Sequence, residues 1–136
     1  MSEENVEVVR RAIDANRSGS PEDTVERAMA LADPNCVFTS RLTSVEGTAY
    51  QGHQGVRAYF ADMADAWREW RHEVNEMTEV GPNAVLTQVT SRATGKSGVD
   101  VEMRVAMVWV LSGGRILEIH SYPSKQEALE AAGLSE

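Results

Sequence analysis

Cysteine is almost absent from this chain: among 136 residues only Cys36 carries a thiol, so no internal disulfide can form. Positive charge is also scarce, with 13 Lys and Arg against 21 Asp and Glu for a formal charge of −8. That balance, with no basic stripe, argues against a nucleic-acid partner. No apolar run approaches the roughly 20 residues that span a bilayer, and the opening Met-Ser-Glu-Glu is acidic where a secretory leader would be basic. The expectation is a soluble protein of a reducing compartment, most simply the cytoplasm, with no membrane partner. Histidine is limited to His53, His72 and His120, and neither a pair of these nor one of them with Cys36 has a metal-ligand spacing. No metal and no cofactor is expected. Repeats and low-complexity segments are missing, and Gly52-His53-Gln54-Gly55 lacks the Lys-Ser/Thr pair and the preceding long strand of a phosphate loop.

Against these absences stands one long alternating stretch at 99–111, Val-Asp-Val-Glu-Met-Arg-Val-Ala-Met-Val-Trp-Val-Leu. Strand side chains point alternately to opposite faces. Its odd positions therefore make a fully apolar face, while its even face changes from Asp100, Glu102 and Arg104 to Ala106, Val108 and Val110. A strand with one wet face would stay polar along it, so both faces are covered over part of the length. Ser112-Gly113-Gly114-Arg115 reads as a two-residue hairpin, because glycine takes the positive φ of a primed turn without steric cost. That register pairs Leu111 with Ile116, Trp109 with Glu118, Met107 with His120 and Val105 with Tyr122 on one face. On the other it pairs Val110 with Leu117, Val108 with Ile119 and Ala106 with Ser121. A bulge would shift the pairs by one and reverse the parity of the second strand.

The whole chain, 1–136, is short enough to be a single domain and long enough for a real core. Glu3 and Glu4 begin a helix whose face is Val6, Val9, Ala12 and Ile13; Ser20-Pro21 caps a second, with Val25, Ala28, Met29 and Ala32, that Asp33-Pro34 stops. Cys36-Val37-Phe38-Thr39 reads as a short strand, 41–51 as polar loop, and Val56, Tyr59, Phe60, Met63, Trp67 and Trp70 as one face of a third helix. Strands follow at 71–80, 84–92, 99–111 and 115–122, and a Ser124-x-x-Glu127 capping box opens a short last helix that ends at Gly133. The fold class is α+β: three N-terminal helices packed on a curved, mainly antiparallel sheet, with a short C-terminal helix.

Four segments carry a family resemblance: Glu4-Asn5-Val6-Glu7-Val8-Val9-Arg10-Arg11, Tyr50-Gln51-Gly52-His53-Gln54-Gly55-Val56-Arg57, Val108-Trp109-Val110-Leu111 through Gly114-Arg115-Ile116, and the tail Glu127-Ala128-Leu129-Glu130-Ala131-Ala132-Gly133-Leu134. With them the chain resembles the SnoaL-like group of the nuclear transport factor 2 superfamily, the cone-shaped fold shared with ketosteroid isomerase, and its tail is similar to actinobacterial members. The resemblance implies a pocket between sheet and helices lined by the even face of the central strand, with the other sheet face packed on a second subunit. The apolar stripe Met103, Val105, Met107 and Trp109, extended by His120 and Tyr122, is too large to leave in water, so a homodimer interface is expected there. The alternative buries that stripe under the chain's own helices, with the pocket on the opposite face.

Ketosteroid isomerase chemistry needs an aspartate base, a tyrosine and a protonated aspartic acid, and by the resemblance those positions fall near Ser40, Ala12 and Ala106, so that activity is rejected. Epoxide hydrolases of this fold use an Asp-Arg-Asp set, of which only Arg104 remains, with Ala106 and Ser121 at the acid positions. The expected pocket then holds Glu102 and Arg104 as candidate catalytic residues, with Ser40, Tyr59, Gln88, Ala106 and Ser121 around a small, mostly apolar ligand. Glu102 and Arg104 stand two apart on one strand face, as a carboxylate base beside a cation or as a purely structural ion pair. The functional alternatives are an isomerase, cyclase or hydrolase acting on a secondary metabolite, a non-catalytic binding protein, and a dimeric adapter whose cone is filled by Tyr59, Phe60 and Trp67.

Overall fold

The computed structural model describes residues 2–19, 22–40, 42 and 48–133. Helix α1, Ser2–Ala15, carries Glu3 and Glu4 in its first turn, where the helix dipole favours them, and buries Val8, Val9 and Ile13 along one side. Helix α2, Glu22–Ala30, buries Met29; the expected Ser20-Pro21 cap lies outside the described residues. Strand β1, Ala32–Ser40, starts earlier than expected and takes in Asp33 and Pro34. Proline is tolerated because the ladder to the neighbouring strand is irregular between Ala32 and Val37. The expected polar loop contains a strand, β2, Thr48–Gln51, antiparallel to β1; positions 41 and 43–47 lie outside the described residues.

Helix α3, Gly52–Ala66, ends sooner than the apolar spacing predicts, and Trp67 and Trp70 belong to strand β3, Trp67–Gly81. The spacing of three and four continues past the helix by coincidence. Trp67 is already extended, at φ −127 and ψ 139, and Trp70 pairs across the ladder with Ala93. Strands β4, Ala84–Gly95, β5, Asp100–Ser112, and β6, Arg115–Tyr122, complete the meander. Helix α4, Lys125–Ala131, opens with Ser124 Oγ accepting from the Glu127 amide, as the capping box predicts. The sheet order is β2-β1-β6-β5-β4-β3, antiparallel except between β1 and β6.

The β5–β6 turn forms as expected, with Gly113 at φ 60 and Gly114 at φ 78. Leu111 faces Ile116, but Val110 then faces Glu118, so Leu117 is left over as a bulge. Beyond it Trp109 stands opposite Ile119, Met107 opposite Ser121, Val108 opposite His120 and Ala106 opposite Tyr122. The second strand's parity is therefore reversed: Ile119 and Ser121 share the face of Met107 and Trp109, while His120 and Tyr122 turn to the other side.

That reversal decides which sheet face is the inside. Val8, Val9 and Ile13 of α1 pack with Val85, Val89, Trp109, Leu111 and Ile116. Each such aliphatic side chain contributes about 1.5 to 3 kcal/mol by leaving water. Tyr59 and Met63 of α3 pack with Tyr50, Trp70 and Ala93, and Met103 lies against this second cluster. The odd face of β5 is thus covered by the chain's own helices, which corrects the expectation that Met103, Val105, Met107 and Trp109 await a second subunit. Of the expected interface set only His120 and Tyr122 lie on the outer face. Ala106 and Val108 on that face pack with Leu86 and with Ala128 and Leu129 of α4.

Candidate functional site

Between the inner sheet face and the helices lies a cavity of about 130 Å³. Its wall is built from helices and sheet together: Ala12 and Ile13 from α1, Asn16 just past its end, Ala28 from α2, Tyr59 and Phe60 from α3, and strand residues that include Cys36, Ser40, His72, Ser91, Val105 and Met107. No Asp, Glu, Lys or Arg is among the described residues that line it. Tyr59 and Phe60 form wall rather than filling, and Trp67 is turned to the β1–β2 side, its indole N–H donating to the Leu42 carbonyl at 3.0 Å.

Besides Ser121, two hydrogen-bonded polar clusters interrupt the apolar wall. One is a relay. The Trp70 indole N–H donates to Asn16 Oδ1 at 3.0 Å, and Asn16 Nδ2 donates to the Tyr59 hydroxyl at 2.7 Å, which orients the Asn16 amide from both ends. Ser40 also hydrogen-bonds that phenol. Burial raises the Tyr59 pKa well above its ordinary value, outweighing the opposing hydrogen bonds from Asn16 and Ser40, so Tyr59 stays a phenol. The second is a cross-strand pair. His72 on β3 faces Ser91 on β4, and His72 Nδ1 and Ser91 Oγ share a hydrogen bond of 2.7 Å. The other ring nitrogen, Nε2, is buried and has no partner among the described residues. Burial pushes the His72 pKa down to about 4, so the imidazole is neutral at neutral pH. Cys36 is likewise held as a thiol, its pKa raised chiefly by burial.

The expected site residues divide between the two faces. Ser40, Tyr59 and Ser121 line the cavity, Ser121 because the Leu117 bulge turned it inward. Its hydroxyl donates to the Thr39 carbonyl at 3.2 Å. Val105, Met107 and Trp109, expected at an interface, line the same cavity. Glu102, Arg104, Gln88 and Ala106 lie on the outer face, because the even positions of β5 point away from α1 and α3. Glu102 accepts from Arg92 Nε at 3.1 Å, and Arg92 also bonds Glu73 across β3–β4. Gln88 donates to Glu76, which Lys125 approaches at 3.3 Å. Arg104 stands in a polar cleft with Asn75, Thr90 and Lys125. His120 pairs with Glu118 at 2.7 Å.

Sequence reasoning missed Asn16, His72 and Ser91. A signal was present for the last two: Trp70-His72-Val74 and Val89-Ser91-Ala93 alternate with polar neighbours, which puts both side chains in the apolar phase of their strands. Among the described residues, no group of three His, Cys, Asp or Glu is placed to hold a metal ion. No helix among them is long and apolar enough to cross a membrane.

None of the curated proteins compared matches the sequence. Solved structures match the fold closely at low identity. An NTF2-like protein of unknown function from Burkholderia pseudomallei aligns with a TM-score of 0.74 at 20% identity, over 93% of this chain and 95% of its own. TerC, crystallised with polyporic acid, aligns at 0.73 and 16%, over 93% and 98%. A provisionally named SnoaL-like polyketide cyclase from Jannaschia aligns at 0.67 and 20%, over 96% and 91%. At such identities these likenesses speak for the cone-shaped fold alone. The family itself rests on a direct match: the SnoaL-like domain aligns with residues 9–119, most of the chain, and the protein belongs to the SnoaL-like domain family.

Proposed function

We propose that the inner cavity is the functional site and that it holds a small, uncharged, mostly apolar molecule for acid–base chemistry of the isomerase, cyclase or hydrolase kind. The observation that carries this reading is the composition of the wall: apolar except for neutral hydroxyl, amide and imidazole groups, with no charged side chain to pair with an ion. An unpaired charge in such surroundings would cost several kcal/mol of desolvation, so the ligand enters neutral. Size limits it further. A cavity near 150 Å³ takes benzene, and one of about 130 Å³ suits a single ring or a short chain rather than a fused polycycle. The polyketide-cyclase name of the Jannaschia protein lends support to chemistry of the cyclase kind.

This reading transfers the catalytic role from Glu102 and Arg104 to the groups at the cavity wall, His72 first. Its test is a thermal-shift screen of neutral one-ring compounds on the native chain and on Ile119→Trp, which would occupy the cavity. The native protein is expected to be stabilised by several of them and the variant by none. A variant that still responds, or a native protein that responds to none, would sink the proposal.

A further inference from the structure

The reading of the cavity as the site leaves open what its ligand must offer, and the direction of each hydrogen bond around Asn16 narrows that. An indole N–H only donates, so the Asn16 atom that meets Trp70 Nε1 at 3.0 Å is the amide oxygen. The atom that meets the Tyr59 hydroxyl at 2.7 Å is then the amide nitrogen, which also only donates. Tyr59 therefore accepts from Asn16, and its own hydroxyl hydrogen has to go elsewhere. The other hydrogen-bond partner of that phenol among the described residues is the Ser40 hydroxyl.

Tyr59 and Ser40 thus bring two hydroxyl hydrogens to one mutual hydrogen bond. Whichever of them donates across it, the other's hydrogen is left without a protein acceptor among the described residues. Turning the Asn16 amide over would remove that surplus, because Ser40 could then donate to Tyr59 and Tyr59 to Asn16 Oδ1. It would also set the amide nitrogen against the indole N–H, two donors 3.0 Å apart. Trp70 is 7% exposed, so little water reaches the pair to relieve the clash. The surplus hydrogen stays where the cavity is, since Asn16, Ser40 and Tyr59 all belong to its wall and Ser40 keeps 8% of its surface accessible. We infer that Trp70 is a positioning residue: by fixing the Asn16 amide, it leaves one hydroxyl hydrogen of the Tyr59 and Ser40 pair for the oxygen of a neutral one-ring carbonyl compound. This rests on the cavity being the site, and it adds the acceptor that the ligand carries.

The probes are cyclohexanone and methylenecyclohexane, rings of nearly the same shape of which only the ketone has an acceptor oxygen. Calorimetry compares them on the native chain, on Asn16→Asp and on Trp70→Phe. The native chain is expected to prefer the ketone by about 2- to 10-fold, the worth of one net hydrogen bond. Asn16→Asp still accepts from the indole but no longer donates to Tyr59, so both hydroxyl hydrogens are spent inside the protein and the preference should vanish. Trp70→Phe lets the amide turn over and should reduce the preference; a merely structural Trp70 would weaken both probes alike and leave their ratio unchanged. Equal binding of the two probes by the native chain overturns the inference even where the variants fail to fold, and leaves the cavity reading standing. A ketone preference that persists in Asn16→Asp and Trp70→Phe overturns it as well. Binding of neither probe overturns both.

Discussion

Acidification should reveal the burial of His72 as a loss of stability, and the size follows from its pKa. The unfolded chain holds this imidazole near the ordinary value of about 6.5, and the native fold lowers it to about 4. The native state therefore binds fewer protons than the unfolded state between those two values. Neutral His72 contributes its stability in full above the unfolded pKa. As pH falls below it, protonation favours unfolding by about 1.4 kcal/mol per unit until the folded pKa is reached. The whole span is worth about 3 kcal/mol, a large share of a typical domain's stability. The other titratable groups at the cavity wall, Tyr59 from α3 and Cys36 from β1, have raised pKa values and stay uncharged throughout, while α1, α2 and β4 to β6 place none there. Urea unfolding at several pH values from about 7.5 down to about 4.5, on the native chain and on His72→Phe, isolates the effect, because carboxylates and the other histidines cancel in the difference. The native chain should lose stability relative to the variant below about pH 6.5 at close to the stated slope. A difference that does not change with pH would refute the burial of a neutral His72.

Other substitutions test the frame around the cavity. Thr87→Val leaves the buried Trp109 indole N–H without its acceptor and should cost about 1 to 3 kcal/mol in urea unfolding; a neutral result would mean the indole finds another partner. Gly55→Ala puts a Cβ 3.1 Å from the Tyr50 backbone carbon, so it should lower Tm despite alanine's better helix propensity. Glu102→Ala breaks an exposed ion pair with Arg92 and should change stability by less than about 1 kcal/mol. Arg104→Ala, on the outer face, should leave cyclohexanone affinity unchanged in calorimetry, whereas a loss would return the site to the side of the sheet first expected.

Much of the fold could be read from local pattern. The strand at 99–111 announces itself by alternation, the Gly113-Gly114 turn by its demand for positive φ, and the last helix by Ser124 and Glu127. What local pattern could not carry was a single extra residue. Leu117 bulges because the strands pack that way in three dimensions, and the bulge moves Ile119 and Ser121 inward and His120 and Tyr122 outward. The end of α3 was hidden for a related reason: Trp67 and Trp70, three apart, satisfy helical spacing, and only a register shift after Trp67 brings both to one face of the strand. The face of β5 that meets the helices was also ambiguous, since both its faces are apolar near Trp109. Charge at Glu102 and Arg104 suggested a site, but in this fold those side chains occupy the solvent side of the sheet.

The most direct test of the account is a crystal structure of the protein grown with cyclohexanone. The account predicts the ring inside the cavity between the inner sheet face and α1 and α3. A ring bound on the outer face beside Arg104 and Gln88 would contradict it.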